Sequence, residues 1–357
     1  MITAGFVLFR APAGRVLLLR RSENGDHVGE WDFPGGKLED GENVGQTAIR
    51  EVMEEIGFTM GHTGRWFCRS IKGGVDATTF IYDVDDEFTP KLNREEHDDW
   101  VWVDPLEALT PLTNGFVVHP GVVIALRRLR MNEYQVAEAI RDGDLTSPQW
   151  FENALLVDMR ISGTGISYRP GLKEWVYRRP ENYLTPEFLK RTAGMPIIYE
   201  HPEGTILDSQ SFGNRVVGTM QLSYIKGGSD VWGVARIYDK EAGREIIEGG
   251  GEISTSPSVV FRDPAVNYEI ELANGETMLV EGSPSYLDHL AICVNGVWDK
   301  GGSPSGIRVD SAEDQRLAAI ADSIDRLDER LTRHLITRAV GRLERRIEKV
   351  EAKNGCC

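Results

Sequence analysis

Apolar residues fall in three rhythms along the chain. Over the first 130 residues, short apolar runs at 6–9, 16–19, 78–82 and 100–103 predict strands, the first two joined through the turn at Ala13-Gly14. Between them lies a helical pattern. Placed at about 100° per residue, residues 43–56 put Ala48, Ile49, Val52, Met53 and Ile56 on one face, expected to be the buried one, and Gly57 ends the helix. A further helix, started by Pro120 and Gly121, is predicted in "HPGVVIALRRLRM". From about 150 to 308 the rhythm changes to short, glycine-punctuated strands such as "ALLVDMRISG", "VVGTMQLSYIKGG" and "VWGVARIYD", which predicts a mainly β unit with a few helices. The polar stretch 131–149 reads as a linker. In 309–357, Leu317, Ile320, Ile324, Leu327 and Leu331 recur at helical steps, and Leu343, Ile347 and Val350 resume after a slip near Leu335 and Ile336. This predicts an amphipathic helix of coiled-coil character, acidic first and arginine-rich later, suited to self-association or to docking on a partner.

Composition narrows the class. A chain of 357 residues, 41% hydrophobic and 27% charged, is long enough for two soluble domains and an extension. No apolar run reaches the length of a membrane span, and the start lacks the basic-apolar-cleavage order of a signal peptide, so a cytoplasmic location is expected. Four cysteines (Cys68, Cys293, Cys356 and Cys357) show no CxxC spacing, which fits a reducing compartment. The net charge of -16 argues against a broad nucleic-acid-binding face. It leaves nucleotides open, because a divalent cation can bridge an acidic protein to phosphate.

That possibility has a place in the chain. "GGKLEDGENVGQTAIREVMEEIGF" crowds acids around the helix at 43–56. Glu51, Glu54 and Glu55 gather on the side away from the apolar face, because steps of three and four bring side chains together. Arg50 sits at their edge, and the glycine-rich loop before the helix brings backbone carbonyls and Glu42 close. Hard oxygen donors so grouped suit Mg²⁺ or Mn²⁺. A solvated, glutamate-rich helix face is the plainer reading of the same composition. Spacing decides between them. Gly36, five residues, Glu42, seven residues, then Arg50-Glu51-Val52-Met53-Glu54-Glu55-Ile56-Gly57-Phe58 resembles the complete Nudix box. Across residues 1–130 the resemblance implies an α/β Nudix sandwich, a mixed sheet between helices, that hydrolyses a nucleoside diphosphate linked to another moiety. It further implies that Glu51, Glu54 and Glu55 hold the metal with help from the Gly36 carbonyl. One of these acids, or Glu95 or Glu96, would activate water. Trp31, Phe33 and Trp66 are candidates to stack on a base, against the plainer reading of core aromatics.

The β unit carries a second set of reactive residues. His201 follows an apolar strand in "MPIIYEHPEG"; Ser254, Ser256 and Ser258 alternate in "EISTSPSVVF"; Asp288 and His289 precede another apolar strand. A serine nucleophile needs a base in reach and a group that orients the base. The plain alternative is the wet face of an edge strand, marked by Pro257. The order of these motifs over 150–300 resembles tailed-phage prohead maturation proteases of herpesvirus-assemblin-like β fold. That resemblance implies Ser254 as nucleophile, His201 as base and His289 as orienting group, with Ser256 as a substitute. The sequence departs from the family's Leu-Ser-Val-Gly-Tyr strand at Ile253-Ser254-Thr255-Ser256-Pro257, and has Asp288 where the family has asparagine. Together the two resemblances imply a phage protein in the bacterial host cytoplasm or an assembling prohead, with capsid or scaffold proteins, or a second copy, as partners of the terminal helix. Two other readings compete with this bifunctional enzyme: a Nudix enzyme with an inactive assembly module, and a nucleotide-sensing structural protein.

Overall fold

The computed structural model describes residues 2–310 except 25, 73, 111–116, 170–171 and 203–205. The amphipathic segment at 309–357 and the Cys356-Cys357 pair lie, but for residues 309 and 310, outside the described residues.

The N-terminal sheet contains β1 (Ile2–Arg10), β2 (Val16–Arg21), β3 (Trp31–Asp32), β4 (Gly35–Lys37), β5 (Arg65–Lys72), β6 (Val75–Asp83) and β7 (His97–Val103). Its order is β3-β2-β1-β6-β5, with β4 added beside β1 and β7 beside β2. β1 and β6 run parallel, from Ile2 opposite Val75 to Arg10 opposite Asp83, while the other pairs are antiparallel, so the sheet is mixed. Strand alternation sends Val7, Phe9, Leu17 and Leu19 to one face and Leu8, Val16 and Leu18 to the other. Helix α1 (Val44–Ile56) covers the first face. The second is covered by α3 (Pro120–Arg128), which follows the short α2 (Pro105–Ala108), and by α4 (Glu133–Arg141). The result is a mixed sheet between helical layers.

α1 has a complete capping box: the Asn43 side chain accepts from the Gln46 N–H, and the Gln46 side chain accepts from the Asn43 N–H. Gly57 closes it at φ 62°, a left-handed conformation that favours glycine. The buried stripe differs from the expected one. Val44, Ala48, Val52, Glu55 and Ile56 face inward, whereas Met53 is 43% exposed. The stripe is centred on the four-residue row 44-48-52, so residue 53, about 100° further round, points out and residue 55 points in.

The stretch 131–149, read as a linker, contains α4 and β8 (Gln149–Phe151). Val136, Ala137 and Ile140 of α4 join the same apolar cluster as Leu8 and Leu18 of the first sheet and Leu156, Leu222 and Val234 of the second. The two halves thus share a core layer.

The second half adds β9 (Ala154–Gly163), β10 (Gly165–Arg169), β11 (Glu174–Arg178), α5 (Pro180–Tyr183), α6 (Pro186–Arg191), β12 (Pro196–Tyr199), α7 (Ser209–Arg215), β13 (Val216–Lys226), β14 (Asp230–Ile237) and α8 (Lys240–Gly249). After these come β15 (Ser254–Val260), β16 (Tyr268–Glu271), β17 (Thr277–Glu281), β18 (Tyr286–Cys293) and β19 (Ile307–Arg308). Eight strands form a sheet ordered β15-β18-β12-β13-β14-β9-β19, with β8 beside β9; β10-β11-β17-β16 form a smaller one. All ten residues of β9 are buried, because this strand has the shared core on one side and the domain's own core on the other. β15, with Pro257, is an edge strand of this sheet.

A buried arginine of the first sheet fastens the halves. Arg69 on β5 is fully buried, and its Nε donates to Asp76 Oδ1 at 2.6 Å. Its guanidinium also donates to the Asp310 carbonyl, and its own carbonyl accepts from Thr146 N–H (3.1 Å) and the Gln149 side-chain amide (3.2 Å). Asp76→Ala takes away the carboxylate that this buried guanidinium meets through both Nε and Nη2. The expected loss is about 3–5 kcal/mol of stability, read from thermal or chemical unfolding. A loss below about 1 kcal/mol would show the pair is not needed.

Candidate active sites

α1 and β4 build the first site. β4 pairs with β1 so that Gly36 lies opposite Gly5, and the loop passes against the helix. A Cβ on Gly36 would lie 2.3 Å from Glu51 Oε1, so glycine here lets the loop and the carboxylate meet without the side chain giving way. The Arg50 guanidinium stands among carboxylates: Nε donates to Glu42 Oε1 at 2.8 Å, and Nη1 donates to Glu51 Oε1 at 2.9 Å and to Glu54 Oε2 at 3.0 Å. Nη2 reaches the Lys37 carbonyl at 3.2 Å and Glu42 Oε2 at 3.1 Å. The hydrogen bonds from Arg50 and Thr47 hold the Glu42 carboxyl down at about 2. Glu51 is pushed the other way. Burial raises it, and the nearby charges of Glu54 and Glu96 add to that, against the lowering effect of Arg50.

Glu55 is separated from this group. It is 3% exposed, accepts from the Gly35 N–H at 2.9 Å, and its Oε1 lies 3.0 Å from His97 Nε2. Burial raises its carboxyl to about 7 against the lowering effect of His97. Of the three glutamates grouped on one face in the sequence, Glu51 and Glu54 converge on Arg50, and Glu55 turns inward to hold the loop against β7. Glu96 comes to the site as well: with Glu55 and His97 it offers ligand atoms within 4.8 Å of one another. Glu95 is exposed and uses its backbone carbonyl to accept from Ser22 Oγ at 2.6 Å. His97 carries no motif signal, and only the fold brings it to Glu55.

Beside the loop lies a cavity of about 210 Å³ lined by Phe6, Phe33, His27, His119, Asp32 and Lys72 among others. Phe6 points to the face covered by α3, and Phe33 precedes the Gly35–Gly36 segment by two residues, so the cavity reaches the foot of the loop that carries Gly36. The His27 and His119 rings meet edge to face, with centroids 4.7 Å apart. Phe33 lines the cavity but is itself buried in the same core cluster as Trp31, and Trp66 sits in the core cluster under α1.

Residues 1–123 match the family model described as the NUDIX domain. The CTP pyrophosphohydrolase of Escherichia coli (strain K12) is 34% identical over 120 residues, which are 33% of this chain and 87% of that protein. This chain belongs to the Nudix hydrolase family. A shorter similarity, 34% over 55 residues (15% of this chain and 43% of the relative), links it to the 8-oxo-dGTP diphosphatase of the same organism. Among solved structures, the MutT protein of Methanosarcina mazei Go1 is 29% identical, with a TM-score of 0.31, covering 37% of this chain and 95% of its own. The matched residues contain β1 to β7, α1, α2 and the start of α3, and the enzyme is a hydrolase.

Beyond the Nudix domain, the structure assembles a second group on the large sheet. His201 follows β12, and its Nε2 lies 2.9 Å from Ser256 Oγ. Its Nδ1 is 2.8 Å from His289 Nε2, and His289 Nδ1 is 2.7 Å from Asp288 Oδ2. Burial and the neighbouring His289 hold His201 below its ordinary value, although one side of the residue is open to solvent. A cleft of about 1190 Å³, lined by Tyr168, Trp175, Trp298 and others, opens at Ser256.

Ser254 is placed elsewhere, which corrects the expectation that it is the nucleophile meeting His201. It is fully buried; its hydroxyl donates to Asp299 Oδ1 at 2.9 Å and accepts from the Gly306 N–H at 3.0 Å. Asp299 also accepts from Gly296 N–H, Ser305 N–H and Arg160, so Ser254 belongs to the clasp that fixes the loop after β18. Among the described residues no helix is long and apolar enough to cross a membrane.

Proposed function

We propose that the Nudix domain is a divalent-metal-dependent pyrophosphohydrolase acting on a nucleoside triphosphate or related nucleotide. The observation that carries this reading is the convergence of Glu42, Glu51 and Glu54 on one cation, Arg50, directly against the Gly36 backbone. The donor set fits a hard cation: it is all oxygen, with more negative charge than Arg50 offsets. Glu51 and Glu54, with the Gly36 carbonyl, would hold Mg²⁺ or Mn²⁺. Such an ion, when bound, offsets phosphate charge and lowers the pKa of coordinated water. The chain's own residues do the rest. Arg50 fixes the carboxylates through its fork of donors, and Glu55 with His97 locks the loop at Gly35. Phe6 and Phe33 give the adjoining cavity aromatic walls for a base, and Lys72 and Asp32 give it charged ones. Hydrolysis adds water oxygen to a phosphorus and expels the neighbouring phosphate; Glu51, raised by burial and like charges, is suited to take the water proton. The names of the two Escherichia coli relatives support nucleoside triphosphates as the substrate class. The test is a panel of CTP, other nucleoside triphosphates, 8-oxo-dGTP and nucleoside diphosphate sugars, with Mg²⁺ and with EDTA. Metal-dependent release of pyrophosphate or monophosphate from a triphosphate is expected; hydrolysis confined to the sugar conjugates, or unaffected by EDTA, would reject this reading.

A second activity is favoured by one observation, the hydrogen-bonded run Ser256–His201–His289. We propose that the β domain is a serine hydrolase with Ser256 as nucleophile, His201 as base and His289 behind it. Its assignment to phage capsid maturation, with capsid or scaffold proteins as partners in a host cell, is supported by the resemblance of motif order alone.

A further inference from the structure

We infer that Asp288 is a positioning residue for Ser256, the end of a four-member proton chain that fixes which way every hydrogen in the site points. This rests on the serine-hydrolase reading above. Asp288 is 2% exposed and His289 is fully buried, and the two meet at 2.7 Å through Oδ2 and Nδ1. An ionised carboxylate only accepts, so His289 Nδ1 must carry the proton. A neutral imidazole with a protonated Nδ1 has a bare Nε2, which in turn requires His201 Nδ1 to donate across 2.8 Å. His201 Nε2 is then bare and faces Ser256 Oγ at 2.9 Å, so the hydroxyl donates to it. Each link follows from the one before, and the carboxylate sets the direction of all. Without that anchor the chain can run the other way, with His201 donating to the serine, and the base is lost.

Asp288 also answers a charge problem. When Ser256 gives up its proton, positive charge appears on a histidine pair held in partly desolvated surroundings, and only a nearby anion offsets it. Among the described residues, the titratable groups around the pair are few. Tyr286 lies on the same strand, with its phenol raised by burial and by Asp288, and Glu200 precedes His201. β15 offers hydroxyls, with Ser256 opposite Ala291 and Ser258 opposite His289. On the segment after His201, Asp208 is turned to the Ser211 N–H. Asp288 Oδ2 accepts one further bond, from the Leu207 N–H at 2.9 Å. A loop cap is therefore the rival role.

Asp288→Asn separates the two roles, since an amide oxygen in place of Oδ2 still accepts from Leu207 and His289 but carries no charge. The measurement is the rate of fluorophosphonate labelling of Ser256 against pH in the full chain. The reaction forms an Oγ–P bond, expels fluoride and passes the hydroxyl proton to His201 Nε2. Asp288→Asn is expected to slow the plateau about tenfold or more and to move the acid limb to lower pH, because the imidazolium loses its counter-charge. An unchanged profile, or a lower plateau with the limb unmoved, overturns the inference and leaves a loop cap. Histidine-selective NMR gives a readout that does not need a reactive serine. If the wild type is not labelled, the serine-hydrolase reading fails; a His201 protonation midpoint that still falls in Asp288→Asn supports the chain, and an unmoved midpoint overturns it.

Discussion

Glu54→Gln is expected to lower Mg²⁺-dependent nucleotide hydrolysis by at least about 10²-fold while leaving the unfolding midpoint close to that of the wild type. The two halves of that expectation have separate causes. Glu54 is the outermost of the three glutamates, its side chain is 54% exposed, and it meets Arg50 at 3.0 Å. An exposed helix pair of this kind contributes about 0–1 kcal/mol, and glutamine keeps both the shape and an acceptor for Arg50. Stability therefore hardly changes. What is lost is one unit of negative charge in a group whose donors suit a hard cation, and rate follows charge there more than shape. The assay is steady-state hydrolysis over a Mg²⁺ titration, beside thermal unfolding of both proteins. Equal turnover would sink the assignment of Glu54 to the metal. Turnover restored at high Mg²⁺ would keep the assignment and show that the substitution acts through affinity.

Four of the seven strands of the first sheet, and the helix against it, were legible because their signals are local, whereas β3, β4 and β5 were not read. The apolar runs at 6–9, 16–19, 78–82 and 100–103 lie inside β1, β2, β6 and β7, and the capped helix at 43–56 begins and ends at Asn43 and Gly57. Where local signals were weak, packing overrode them. Met53 and Glu55 exchanged roles because an apolar side chain can tolerate solvent, whereas the Gly35 N–H and His97 give Glu55 partners inside. The segment expected to be a linker hid a helix with a readable start: Asn132 and Gln135 form the same reciprocal cap as Asn43 and Gln46. Its polar composition masked the stripe Val136, Ala137, Ile140. The choice among Ser254, Ser256 and Ser258 was not local at all. Alternation puts all three on one face. Which of them meets His201 depends on how β15 is staggered on β18 and how β12 ends beside it. The loop bearing Asp299, 45 residues beyond Ser254, decides which serine is closed off.

Ser256→Ala and His201→Ala are each expected to abolish fluorophosphonate labelling of the β domain, and Ser254→Ala is expected to preserve it. Such a reagent reports a serine made nucleophilic by its surroundings, not one that is merely exposed. Ser256 has the geometry for that: a histidine nitrogen at 2.9 Å, a second histidine behind it and an open cleft in front. Ser254 has none of it, since Asp299 and the Gly306 N–H already occupy its hydroxyl and Gly296 and Gly306 close over it. A Cβ on either glycine would come within 2.7 Å of Ser254 Oγ, so no reagent reaches that oxygen without opening the clasp. Removing the hydroxyl instead leaves a buried donor and acceptor short of a partner, at a cost of about 1–3 kcal/mol in unfolding. The two serines thus separate into opposite phenotypes, reactivity lost with stability kept at 256, and stability lost with reactivity kept at 254. Intact mass and peptide mapping decide it. An adduct on Ser254 would overturn the assignment, and no adduct in a folded wild-type chain would favour an assembly module whose histidines only hold the sheet together.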